Sequence, residues 1–340
     1  MPNEDDLPIL VYADELVNKL REMLPAAIKE NDETAIHQSR VATRRLKAAA
    51  DVFERVSSRS HHRDLAKTLR KLRKHLGPAR DLDVMLGHLK EIKGDRLKPG
   101  VDWLESQLLK QQQKLRESQA EKFDVPQALA RLGAWWGVRQ DWADAGDGLH
   151  CLISESLHLQ LDRFVEYADV ISGNRISPGH DAMSDPHQLR IAGKALRYTL
   201  DMAVAGGHQL PPAVGRAFKR MQDALGLWHD YVVLTERLLR LTNDAELSVH
   251  DTAMTAIILD IAKLSVRRSA TQLEHFNKLW KSKGETLAIT IRQAFPLTHA
   301  VVEEAEIPIE SKTDPDPAGS ENPVADPPQP AEVPTEPSAV

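Results

Sequence analysis

The sequence is short of the residues that staple, span or stack. Its 340 residues include a single cysteine, Cys151, so no internal disulfide can form and a reducing compartment is expected. At this length one large or two medium domains can bury apolar cores of their own, without disulfides or structural metals. No apolar run approaches the ~18 residues that span a bilayer. The opening "MPNEDDLPIL" carries acids where a secretory signal carries cations. A soluble cytoplasmic protein with no membrane partner is therefore expected. A glycine-rich phosphate loop and a nucleophile triad are also missing, which excludes the enzyme classes that depend on them.

Positive charge looks scarce too, because the net charge is −6, but the acids are unevenly spread. From Val302 to Val340 ten Asp/Glu face one Lys, which leaves +3 for the remainder. That tail, 302–340, is rich in proline and acid and poor in large apolar groups. It is expected to be disordered, since it cannot bury enough surface to offset its ordering entropy. The folded part, 1–301, is mildly basic.

Sustained period-two alternation is absent. Apolar spacings of three and four recur instead, as in "ILVYADELVNKLREMLPAAI", "DLAKTLRKLRKHL" and "TAIILDIAKLSV", and predict an all-α fold. Two pairs of segments repeat. "HQSRVATRRLKAAA" from His37 returns as "HQLRIAGKALRYTL" from His187, and "LGPARDLDVML" from Leu76 returns as "LGLWHDYVVL" from Leu225. The offsets, 150 and 149 residues, are far longer than solenoid repeats of about 20 to 50. The chain reads as an internal duplication of a four-helix unit, residues 8–145 and 146–301, joined near Gly146 to His150. Two four-helix bundles facing each other about a pseudo-twofold axis are expected.

The repeated segments carry cations in rows. At ~100° per residue, His37, Arg40, Arg44 and Lys47 fall in a sector about 80° wide, nearly opposite Ala42, Leu46 and Ala49. His187, Arg190, Lys194 and Arg197 occupy the same angles opposite Ala192, Leu196 and Leu200. The following helix adds Arg63, Lys67, Arg70, Lys71 and Lys74, and its counterpart Arg216, Lys219 and Arg220. A charged helix face is ordinarily a solvated one. Such faces alternate sign, because opposite i,i+4 pairs help by ~0.2–0.5 kcal/mol and like pairs cost similar amounts. These rows are almost all of one sign, with Asp64 the exception, and that points to a polyanion ligand.

Surfaces that read single-stranded nucleic acid mix cations with aromatic platforms, since stacking contributes ~1–3 kcal/mol per base. Here only Tyr198 sits near a row. A ligand with charge and no bases fits better. Inorganic polyphosphate offers closely spaced oxygens to Arg forks and Lys point charges, each charge-assisted bond worth ~1.5–3 kcal/mol. A nucleic-acid or phosphoprotein adaptor using the same rows is the alternative. The tethered acidic tail is a candidate competitor for the groove.

At these residues the sequence resembles the CHAD family, the conserved histidine α-helical domain. The resemblance runs through "IHQSRVATRRLKAAADVF", "LGPARDLDVML", "HQLRIAGKALRYTL" and "MQDALGLWHDYVVL", in the family's order over most of residues 8 to 300. It implies two four-helix bundles with a basic groove or pore between them, polyphosphate binding, and targeting to polyphosphate granules in bacteria. By position it assigns His37, Arg40, Arg44, Arg45 and Lys47 to the first motif and His187, Arg190, Lys194 and Arg197 to the second. Two departures mean the halves need not bind equally. Ala195 replaces the second cation of the Arg44–Arg45 pair, and Arg80 stands where the other half has His229. No glutamate-rich triphosphatase module accompanies the domain, so the resemblance lends no catalysis.

The rival reading is a metal-dependent phosphohydrolase, prompted by His-Asp dipeptides at His180, His229 and His250. A metal site needs further converging ligands, and the first-half counterpart of His229–Asp230 is Arg80–Asp81, whose guanidinium cannot coordinate. His229 is therefore read as a cation of the polyphosphate site, and no catalytic residue, metal or cofactor is assigned. Asp81 and Asp230 are expected to orient the neighbouring base, or to lie near helix starts after Gly77 and Gly226. His37 and His187 are read as a pH switch, because bound phosphate favours the protonated imidazole.

Overall fold

The computed structural model describes residues 7–173, 185–242 and 251–297, the side chains of 119–122 excepted. The acidic tail, the His180–Asp181 dipeptide and His250 lie outside the described residues. Within them every regular element is helical, as the periodicity predicts. No helix among the described residues is long and apolar enough to cross a membrane.

Local chemistry sets the helix ends. α1 (Pro8–Pro25) opens on a proline, whose missing N–H is one of those a helix start leaves unpaired anyway. It runs into a π-turn over Ala26–Glu30, closed by Asn31 at φ 53°, a left-handed position that asparagine tolerates. α2 (Glu33–Val52) starts where the Asp32 carboxylate accepts from Ala35 N at 2.6 Å. α3 (Arg59–Lys90), α4 (Lys98–Lys122), α5 (Val125–Arg131), α6 (Trp135–Ala145) and α7 (Gly148–Ile171) follow. α8 (Pro186–Ala205) is capped by Asp185, which accepts from His187 N at 2.8 Å. α9 (Pro212–Thr242) and α10 (Thr252–Ala294) complete the set. α2 and α8 have 20 residues each, and α3 and α9 have 32 and 31. The short helices α5 and α6 stand between α4 and α7.

Two apolar cores hold these helices together. The larger collects Val17 and Leu20 of α1, Leu46 of α2, Leu69 of α3, Phe164 of α7, Leu196 of α8, Met221 of α9 and Trp280 of α10. The smaller is built by Leu86 and Leu89 of α3, Leu104 of α4, Leu234 and Leu238 of α9, and Ile258 and Ile261 of α10. Each core draws on both halves of the chain. The helices that pass from one core to the other are α3, α9 and the 43-residue α10, about 65 Å long at ~1.5 Å per residue.

The crossing point corrects one expectation. No helix starts after Gly77 or Gly226; α3 and α9 run through both positions unbroken, α3 even across Pro78. Leu76 anchors α3 in the first core and Leu82 in the second. Leu225 and Leu234 do the same for α9. Tertiary burial on both sides overrides the ~1 kcal/mol that a mid-helix glycine costs.

Candidate functional site

The apolar sides of α2 and α8 are buried, with Ala42, Leu46, Ala192 and Leu196 all at 4% exposure or less, and the two helices pack on each other. That contact sets the two cationic rows side by side. Arg44 couples them: its charge acts on His37 and Arg40 of its own helix and on Arg190 and Lys194 of α8.

At the first-half end, the Arg40 side chain is only 12% exposed and its Nη2 lies 3.7 Å from Asp81 Oδ1. Burial lowers its pKa, and Arg44, Arg80 and Arg73 press in the same direction against the pull of Asp81. Gly77 leaves room for this geometry, since a Cβ there would stand 3.2 Å from Arg40 Nη1 and the guanidinium would have to give by a few tenths of an ångström. Arg80 Nη1 donates to Glu33 Oε1 at 3.2 Å. The pKa of His37 is held below its ordinary value by burial and by Arg80, Arg40 and Arg44, so the ring stays neutral in the free protein.

At the second-half end, burial lowers the pKa of Arg190, and Asp230 opposes the repulsion from Arg44. Arg190 Nε is buried without an acceptor. Lys194 pays most: burial, then Arg190 and Arg44, push its pKa down to about 7 despite Asp230. Burial would raise the pKa of Asp230, but the adjoining His229 and His88 imidazoles and the charge of Arg190 outweigh it and hold the carboxyl well below its usual range. His229 Nδ1 and His88 Nε2 stand 3.5 and 3.8 Å from its oxygens. The His187 ring stacks on His229, centroids 5.5 Å apart.

The balance of charge is positive. Among the described residues no carboxylate lies within ion-pair distance of Arg44, Arg190 or Lys194. Half-buried cations that repel one another are unfavourable until an anion completes them. The arrangement can therefore bind multiply charged oxyanions through charge-assisted donors from both helices. Among the described residues no group of three or more His, Cys, Asp or Glu is placed to hold a metal ion.

Other residues singled out from the sequence lie elsewhere. Arg45 Nη2 pairs with Asp201 Oδ2 at 2.9 Å, a clasp between α2 and α8 beside Tyr12, whose hydroxyl burial pushes up to about 12. Lys47 is held by Asp51 at 2.6 Å and Lys219 by Asp223 at 2.7 Å, each on its own helix. Lys67, Lys71 and Lys74 line cavities with residues of α5. Arg63 and Arg70 are exposed on α3, Arg216 and Arg220 are exposed on α9, and Arg197 is half-buried. The sequence reading missed Arg73, Arg80 and His88 as members of the cluster. The repeat alignment, which sets Arg80 opposite His229, was the signal that could have found one of them.

With the geometry in place, the comparisons agree on the class. The family model of the CHAD domain matches residues 11–239, more than half of the chain. The protein belongs to the CHAD domain family, which is associated with polyphosphate binding. Among solved structures, the crystal structure of the CHAD domain from the plant Ricinus communis is similar in fold. It has 21% sequence identity and a TM-score of 0.54, covering 86% of this chain and 92% of that one. No curated protein matches.

Proposed function

We propose that this chain is a non-catalytic binder of inorganic polyphosphate, and that the phosphate chain lies across the α2–α8 contact. His37, Arg40, Arg44, Arg73 and Arg80 would face it from the first half, and His187, Arg190, Lys194 and His229 from the second. One observation carries the reading: Arg40, Arg44, Arg190 and Lys194, drawn from both halves, act on one another at a partly buried contact with too few carboxylates to neutralise them. The rows lack the aromatic platforms that base recognition uses, which favours a ligand made only of phosphate. Association with polyphosphate granules in the cytoplasm would follow from the ligand.

Fluorescence anisotropy of end-labelled polyphosphate tests the proposal. At about 150 mM salt the protein is expected to keep its ligand against excess RNA, while affinity falls steeply as salt rises. Displacement by RNA at matched phosphate concentration would make the protein a general polyanion adaptor instead.

A further inference from the structure

A second basic region lies apart from the α2–α8 contact, and it has a different character. Between α3 and α5 a cavity of about 430 Å³ is lined by Lys71, Lys74 and Arg131 together with Leu72, Phe123 and Ala128. A neighbouring cavity of about 360 Å³ shares Thr68, Lys71 and Arg131 with it and adds Lys67. The two form one groove whose ends differ. One end has an aromatic wall, in which the His75 and Phe123 rings stack with centroids 4.2 Å apart, beside the polar groups of Asp124 and Gln127. At the other end the walls are Lys67, Lys71, Arg131, Thr68 and two alanines, with Asp64 the one carboxylate among three cations. Among the described residues Lys67, Lys71, Lys74 and Arg131 have no carboxylate within ion-pair distance.

The combined size suits a small organic ligand, for which pockets of ~300–1,000 Å³ are usual. Its polarity is that of an amphiphilic anion, flat and apolar at one end and multiply charged at the other. Among the described residues no helix of the second half takes the place of α5, so the wall belongs to the first half. On α9, Asp223 holds Lys219, which breaks the row there.

We propose that the α3–α5 groove is a nucleotide site that takes a nucleoside di- or triphosphate. The base lies toward Phe123, His75, Asp124 and Gln127, and the phosphates lie along Lys71, Arg131 and Lys67. Aromatic side chains stack on bases regardless of sequence, and clustered Lys and Arg hold the phosphates. This site is independent of the polyphosphate reading.

Titration of the full chain with the fluorescent analogue N-methylanthraniloyl-ATP tests it. Saturable binding is expected, displaced by ATP, not by adenosine, and at least tenfold less well by tripolyphosphate. Lys71→Glu and Arg131→Glu, both at exposed positions, should each weaken the analogue about tenfold or more. Phe123→Leu, which keeps the apolar volume, should weaken it while leaving the displacement order intact. Lys278→Ala, at an exposed position of α10 that belongs to neither basic region, should leave analogue binding unchanged. The proposal is overturned if no saturable binding occurs or if tripolyphosphate competes as well as ATP. It is also overturned if Arg44→Glu abolishes binding while Lys71→Glu and Arg131→Glu do not, which would place the nucleotide at the α2–α8 contact.

Discussion

The two ends of the α2–α8 cluster carry the same sign of charge by different chemistry. At the first-half end Arg40 is backed by Arg73 and Arg80, all guanidiniums, which keep their charge throughout the physiological range. At the second-half end the counterpart of Arg80 is His229, and the most strained cation is an amine, Lys194, pushed down to about 7. The same four-residue spacing on two helices thus produces one end whose inner cations are all guanidiniums and one that includes an amine titrating near neutral pH. The difference lies partly on α8, where Lys194 takes the place that Arg44 has on α2, and partly on α9, where His229 takes the place that Arg80 has on α3. Periodicity along a helix positions cations; their electrostatic behaviour is decided by what the next helix packs against them.

The largest way to break this comparison is at the residue both ends share. Arg44→Glu should lower polyphosphate affinity about 100-fold, since it removes charge-assisted donors worth ~1.5–3 kcal/mol and adds repulsion. Arg44→Gln should cost about tenfold. Isothermal titration alongside circular dichroism checks both, and a loss below threefold for Arg44→Glu would mean that the ends do not act on one ligand.

A smaller effect separates the ends by pH. Lys194 is largely neutral above about pH 7 in the free protein, and a bound polyanion favours its charged form. Polyphosphate affinity should therefore fall up to tenfold between about pH 6 and pH 8.5. Lys194→Met should flatten the curve at the weaker level, and Lys194→Arg should flatten it at the tighter one.

The same burial predicts a gain in stability. The folded-state pKa of Lys194 lies near 7 against 10.5 for the free side chain. The unfolded chain binds the extra proton between those values, so the stability of the native chain rises with pH across that window. Lys194→Met should raise Tm at pH 7, on the order of 2–4 °C if ~1 kcal/mol is recovered. The advantage should shrink toward pH 10. The smallest effects belong to Lys47→Ala and Lys219→Ala, expected to change affinity less than about twofold because an acid on the same helix already holds each cation.

Much of this was legible before any coordinates. The angular positions of His37, Arg40, Arg44, His187, Arg190 and Lys194 follow from helix period alone, and so does the burial of Leu46 and Leu196 opposite them. The contribution of α3 was not legible in the same way. Its conspicuous stripe, Lys67, Lys71 and Lys74, faces α5, whereas Arg73 and Arg80 lie about 130° and 150° off that stripe's middle, on the side toward α2. Which flank of α3 meets the site is fixed by packing between distant segments, and no local spacing encodes it. Arg45 was misleading for a related reason: its partner Asp201 is 156 residues away. A further pH-sensitive element stands beside the histidines read from the sequence: the burial of Lys194 depends on the α2–α8 contact and could not be seen from an amphipathic pattern.

Isothermal titration with tripolyphosphate tests the convergence of the two rows most directly. With the α3–α5 groove blocked by Lys71→Glu, one binding site per chain is predicted, weakened as a single site by Arg40→Gln on α2 and by Arg190→Gln on α8. Two sites per chain, with each substitution deleting one and sparing the other, would contradict it.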